Sequence, residues 1–203
     1  EIRLSLVGSE MCIRDRHYFV KRAFEPTTTV LLFDRTNMAG QEVSIPYYLL
    51  DDNNMITNRS VKASLSVWNH KMQCVLDTLI MIKPKGKVEK ISDIVLNDKQ
   101  TLSEMLYMKT DLMKDDGTLI ARNWYFCNYE TRRGVMRESC AADICFEQNE
   151  NTIIIKNQSD WPAVGVTIDV PGMSSSLLLS DNYLWIDPGE TVTVDANTCL
   201  LYT

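Results

Sequence analysis

The residues of this chain whose types could carry chemistry are two adjacent carboxylate pairs, Asp51-Asp52 and Asp115-Asp116, two histidines, His17 and His70, and six cysteines. Paired carboxylates can act as general acid and base, or hold calcium. Calcium needs six to eight oxygens converging from several segments, and neighbouring side chains on a strand or turn point in different directions. Both pairs lie among turn-forming residues, which Asp favours, so both are expected to be solvated turn residues. His70 follows a strand-like run, between Asn69 and Lys71, in what reads as a hairpin connection, and no Gly-x-Ser-x-Gly elbow occurs. It is expected at the surface. No cysteine stands in a Cys-x-x-Cys pair, so a zinc ligand set at recognisable spacing is missing. Cys74, Cys127, Cys140 and Cys145 are expected as buried free thiols. The eight glycines are scattered, so no phosphate-cradling loop is expected. The sequence therefore assigns no catalytic residue, no metal ligand and no cofactor.

Aromatic residues offer a different chemistry, because sugars stack on exposed Trp and Tyr faces. Strand alternation puts Trp68 away from its core, and puts Tyr183 and Trp185 on the outward face of a strand whose Leu184 and Ile186 turn inward. Trp161 precedes Pro162 at a loop. These four rings are the candidate carbohydrate or domain-docking residues, and docking is the expected role because large aromatics are enriched at interface cores. Two sequons, Asn58-Arg-Ser60 and Asn157-Gln-Ser159, are compatible with a secreted, periplasmic or lysosomal setting.

Composition narrows the partners. A net charge of −6 would repel phosphate backbones and anionic lipid, which argues against nucleic acid as a partner. No stretch reaches the roughly 20 apolar residues of a membrane-spanning helix, so no membrane partner is expected either.

The elements that must position these residues are almost all strands. His17-Tyr-Phe-Val-Lys-Arg-Ala-Phe24 has helical spacing, and Pro26 forbids its continuation. From Thr27 the period changes to two. In Val61–Trp68, Val61, Ala63, Leu65 and Val67 face inward. Val75–Ile82 and Val88–Leu96 flank Lys83-Pro-Lys-Gly-Lys87 and read as one hairpin. Met105–Met113 and Thr118–Cys127 read as a second, around Lys114-Asp-Asp-Gly117. With an early strand near Val30–Phe33, this is the strand count of an immunoglobulin-like sandwich. A polar stretch, 129–139, separates it from a second, smaller set: Thr152–Ile155, then Val164–Val170 with Val164, Val166, Ile168 and Val170 inward, then a terminal hairpin. In that hairpin Tyr183–Ile186 and Thr191–Val194 bracket Asp187-Pro-Gly-Glu190, whose Gly189 takes the left-handed position of a type II turn. The expected fold is all-β, two tandem immunoglobulin-like sandwiches preceded by the end of a helix. Ala63, Leu65 and Val67 should mark one core, and Ile154, Val166 and Ile168 the other. Residues 1–16 and 199–203 read as translated adapter remnants outside the fold.

Three segments resemble the C-terminal region of the β-mannosidases of glycoside hydrolase family two. His17-Tyr-Phe-Val-Lys-Arg-Ala-Phe-Glu-Pro26 is similar to the junction where the last barrel helix meets the first sandwich. Ala121-Arg-Asn-Trp-Tyr-Phe126 resembles the strand that ends that sandwich, and Leu179–Val194 the hairpin that ends the last immunoglobulin-like domain. The resemblance implies a division into 17–26 (end of the barrel helix and linker), 27–128 (first sandwich), 129–139 (linker) and 140–198 (second sandwich). It also implies that the catalytic glutamates lie upstream on a barrel absent from this chain, and that this barrel is the main partner, with oligosaccharide as a further one. The competing readings are an independent carbohydrate-binding module, the accessory domains of a related exo-glucosaminidase or β-galactosidase, and an adhesion-type tandem without a link to sugars.

Overall fold

The computed structural model describes residues 10–38, 41–98, 102–128, 140–149, 151–168 and 177–198, with side chains from His17 onward except at 177–178 and 197–198. The chain forms two compact units. One is Phe24–Cys140; the other joins the N-terminal Glu1–Ala23 to Ala141–Thr203.

Among the described residues the larger unit holds seven strands: β1 (Thr27–Leu31), β2 (Val43–Asp51), β3 (Val61–Asn69), β4 (Cys74–Ile82), β5 (Val88–Leu96), β6 (Leu106–Lys114) and β7 (Leu119–Cys127). They form two antiparallel sheets, ordered β1-β2-β5 and β4-β3-β6-β7. Their inner faces meet over a core drawn from both: Leu31, Ile45, Tyr47, Ile94 and Leu96 from the first, Ala63, Leu65, Val67, Leu106, Met108 and Cys127 from the second. This is an immunoglobulin-like sandwich, and the alternation expected for Val61–Val67 is the one observed. The Asp-Gly hairpin is also as expected: β6 pairs with β7, and Gly117 has φ +87°.

The first expected hairpin is not formed. β4 pairs with β3 in one sheet and β5 with β2 in the other, so Lys83–Lys87 crosses between sheets. The physical reason lies in the backbone of that loop, which is tied to the β2–β3 connection. The Asp51 N–H donates to the Lys87 carbonyl, and the Asn58 N–H to the Pro84 carbonyl. β2 itself carries Pro46 in mid-strand, a residue that normally marks an edge, beside a register shift at Tyr47/Tyr48.

The smaller unit contains α1 (Glu10–Ala23), β8 (Ile144–Asn149), β9 (Thr152–Asn157), β10 (Ala163–Val166), β11 (Leu177–Leu179), β12 (Leu184–Ile186) and β13 (Thr191–Thr198). One sheet is ordered β11-β13-β9-β8 and the other is the pair β10-β12. The terminal hairpin is therefore absent as such: β12 pairs with β10, while β13 pairs with β9 and β11. Asp187–Glu190 keeps its turn, closed by the Glu190 N–H on the Asp187 carbonyl at 3.0 Å, with Gly189 at φ +72°. It arches between sheets because Asn157 anchors it. The Gly189 N–H donates to the Asn157 carbonyl, and the Asn157 N–H to that of Glu190.

Within this unit Ile153 and Ile155, not Ile154, enter the core, together with Leu179, Leu184, Ile186 and Val194; Val166 and Ile168 pack against it. Pairing with β13 sets the phase of β9. Gly165, at φ +71°, bulges β10, so buried Ala163 and part-buried Val166 break the strict alternation expected from Val164 onward; Val170 lies outside the described residues.

The helix starts at Glu10, inside the stretch expected to lie outside the fold. Its contacts are with the smaller unit. Tyr18 belongs to that unit's core, and its hydroxyl donates to the Leu179 carbonyl at 3.4 Å. Lys21 Nζ donates to the Ser180 carbonyl at 2.7 Å. Arg22 reaches the Asp181 carboxylate at 2.6 Å and the Asn182 carbonyl. Positions 18, 21 and 22 share one helical face by the i, i+3, i+4 rule, and that face meets the chain at Leu179–Asn182. Of the segment 17–26, read as the end of a barrel helix and its linker, the helical part up to Ala23 groups with the second unit.

Candidate functional site

Neither carboxylate pair forms a reactive site. Asp115 and Asp116 are exposed turn residues, as expected; donation from Thr118 lowers the Asp116 pKa. Asp51 is not solvated. It is fully buried, and its two oxygens accept from the Thr27 and Thr57 hydroxyls and the Met55 and Ile56 N–H groups at 2.8–3.0 Å. Burial alone would raise its pKa, but the four donors outweigh it and hold the carboxyl below the usual value. A carboxylate with both oxygens so occupied is a structural clamp for the Asp51–Thr57 turn. His70 is partly buried, 3.4 Å from the Glu104 carboxylate, because β6 brings Leu106 opposite Asn69. Among the four cysteines only Cys127 is buried, its thiol pushed up to about 12 by desolvation. Cys74, Cys140 and Cys145 are free but exposed, on an edge strand or close to the unit boundary. No group of three or more potential metal ligands is found among the described residues.

The four aromatic candidates divide between the units. Trp161, Tyr183 and Trp185 belong to the smaller one. Trp185 is only 3% exposed, and its indole N–H donates to Asp187 at 2.9 Å. Alternation placed it away from Leu184 and Ile186, but on a three-residue strand all three positions are buried, so it is no open stacking platform. Tyr183 does not share an open face with it. Tyr183 sits at φ +53° with its ring against Tyr18 and Phe19 of α1, at 6.2 and 5.8 Å. Trp161 is partly buried, and its carbonyl accepts from the Asn157 amide at 2.8 Å.

Trp68, in the larger unit, has companions that sequence reasoning missed. On the outer face of the four-stranded sheet, register sets Trp68 opposite Tyr107 and Tyr107 opposite Phe126; one step along, Ser66, Lys109 and Trp124 align, then Ser64, Asp111 and Arg122. The rings pack edge to face, Phe126 at 5.5 Å from Tyr107 and 5.1 Å from Trp124. Beside them Arg122 grips Asp111 with two bonds, at 2.7 and 3.1 Å, and Lys109 Nζ lies 2.8 Å from the same carboxylate. Lys109 and Asp111 are buried, although they alternate with the core residues Met108 and Leu112. The readable signal was the period-two run Tyr107, Lys109, Asp111, which sets a ring and two charges on one face of a strand. At the edge of this sheet β4 turns Val75, Leu79 and Met81 outward, at 38%, 57% and 55% exposure, with the exposed Asp77 among them. The face combines rings, a neutralised carboxylate and an apolar margin. Among its described residues it offers no nucleophile and no carboxyl pair.

No protein-family model and no curated protein matches the chain. Solved structures do. A β-D-mannosidase from Dictyoglomus thermophilum superposes with a TM-score of 0.58 at 20% identity, over 92% of this chain and 21% of the enzyme. The exo-chitosanase of Amycolatopsis orientalis gives a TM-score of 0.60 at 17% identity, over 89% of this chain and 24% of its own. The chain has the fold of a part of these glycosidases. It spans less than a quarter of their length, while both units fall within the likeness, as coverage near nine-tenths requires. The all-β, tandem-sandwich architecture expected from the resemblance to family-two glycosidases is thereby matched in solved enzymes.

Proposed function

We propose that the chain is the non-catalytic C-terminal region of a β-mannosidase-like glycoside hydrolase, two sandwich modules that pack on and support a catalytic barrel elsewhere in the same polypeptide. The observation that carries this reading is the outward row of Val75, Leu79 and Met81 on an edge strand, interrupted by Asp77 alone, where an isolated sandwich would normally place more charge. The partial likeness to larger glycosidases supports it. Retaining hydrolysis needs two carboxyls about 5–5.5 Å apart, one of them with a raised pKa. Of the described carboxylates, Asp115 and Asp116 are turn residues, Asp93, Asp111 and Asp181 are ion-paired, and Asp51 is saturated by donors.

The test compares the 203-residue chain with a longer protein that includes the coding sequence preceding Glu1. The short chain should not turn over p-nitrophenyl β-mannoside, whereas the long one should. Leu79→Asp should lower the melting temperature of the long protein and leave the short chain unchanged. Equal effects in both, or turnover by the short chain that one Glu or Asp substitution abolishes, would refute the reading. The likeness to an exo-chitosanase supports an exo-glucosaminidase as the second reading; preference of the long protein for p-nitrophenyl β-glucosaminide would select it.

A further inference from the structure

The two sequons have opposite surroundings in the fold. Asn58 lies in the β2–β3 connection at φ +61°, a conformation Asn tolerates better than most residues. Asn58, Arg59 and Ser60 are all exposed. The backbone of this turn is secured independently of the Asn58 side chain, by the Asn58 N–H on the Pro84 carbonyl at 2.7 Å and the Arg59 N–H on the Ile56 carbonyl at 2.9 Å. Its amide enters no hydrogen bond with another described residue, so a substituent on Nδ2 would project into solvent without displacing any contact.

Asn157 is the reverse case. It has no exposed surface. Its Nδ2 donates to the carbonyls of Trp161, Ile186 and Asp187 at 2.8, 3.0 and 3.3 Å, and its Oδ1 accepts from the Ser159 N–H at 3.0 Å. The Ser159 hydroxyl is itself engaged, accepting from the Asp143 N–H at 2.6 Å. A sugar on Nδ2 would remove one of two N–H hydrogens and demand space where none exists. At this position the glycan and the folded smaller unit exclude each other.

We infer that Asn58 is the N-glycan acceptor of this chain and that the Asn157 sequon is silenced by the fold. The reaction is transfer of an oligosaccharide from a lipid diphosphate donor. A bond forms between Asn58 Nδ2 and the anomeric carbon, the bond from that carbon to the diphosphate oxygen breaks, and the amide proton leaves as the lipid diphosphate departs. The electron count is unchanged and no oxidant is required. The Asp51 clamp and the Pro84 contact fix the turn, so the modified protein keeps its core.

The experiment is secretion of the full 203-residue chain from a eukaryotic host behind a cleavable leader, followed by intact mass and site mapping after peptide N-glycosidase treatment, which converts a glycosylated Asn to Asp. One glycan is expected, with conversion at Asn58 and none at Asn157 in the folded, secreted fraction. Ser60→Ala should lose the entire glycan mass and keep the circular dichroism spectrum of the unmodified chain. Secreted wild-type protein without sugar at Asn58, or folded protein with conversion at Asn157, would overturn the inference.

Discussion

The larger unit closes its core with residues from its own seven consecutive strands, whereas the smaller unit completes its core with Tyr18, from a helix separated from its first strand by the whole of the larger unit. The difference lies in sheet size. Sheets of three and four strands in the larger unit present enough alternating apolar residues to cover each other. In the smaller unit a two-stranded ribbon, β10-β12, faces a four-stranded sheet, and two-stranded pairs are marginal on their own. The helix supplies the missing cover. A β-module can thus depend on a segment distant in sequence that carries no β signal.

The strongest way to break this comparison is Tyr18→Ala. It removes a buried ring, a hydroxyl bond to Leu179 and the contact with Tyr183. Destabilisation of the smaller unit by about 3–5 kcal/mol is expected, by analogy with other buried aromatic truncations. Amide hydrogen exchange should show protection lost in β9–β13 and retained in β1–β7. Equal loss in both units would make the fold a single cooperative block and end the contrast.

The next test concerns the larger unit alone and turns on pH. Asp51 has a folded pKa below its unfolded value of about 3.9. Its stabilisation is therefore fully present above the unfolded value and is lost as pH falls through the folded one. Acid titration below about pH 4 should weaken the larger unit, and Asp51→Asn should flatten that part of the stability profile. It should also lower stability at neutral pH by about 1–3 kcal/mol, since an amide cannot accept all four donors. An unchanged acid limb in Asp51→Asn would show that other carboxylates carry it.

The smallest expected effect sharpens the account of the smaller unit. Gly189 has φ +72°, and the space a Cβ would enter there is open, so Gly189→Ala meets backbone strain without a clash. A cost of about 1–2 kcal/mol in thermal denaturation is expected, with the Asn157 anchor retained. A neutral result would mean that the arch relaxes to negative φ.

Strand existence was readable wherever one local rule acted alone. The alternation in Val61–Val67 reports one buried face, and Asp116-Gly117 and Pro188-Gly189 report turns through their backbone preferences. β2 was hidden because Pro46 contradicts a central strand. The aromatic candidates were chosen by alternation, which tells on which side of a strand a ring lies and nothing about what covers that side. Trp185 and Tyr183 are covered, and the Trp68 face acquired Tyr107, Phe126 and Trp124 only through pairing of β3, β6 and β7. Likewise Asp51 looks like any turn aspartate until Thr27, Met55, Ile56 and Thr57 converge on it.

The sequence by itself determined the all-β class, the alternation of the best strands, and the left-handed glycines at two turns, because these depend on residues within a few positions of each other. Tertiary structure alone decided which strands pair. β4 and β5 are neighbours in sequence, as are β12 and β13, yet each pair is divided between two sheets. A short loop permits either a hairpin or an arch, and the choice follows from anchors far along the chain: the β2–β3 connection for Lys83–Lys87, and Asn157 for Asp187–Glu190. The same long-range anchoring buries one sequon and leaves the other open.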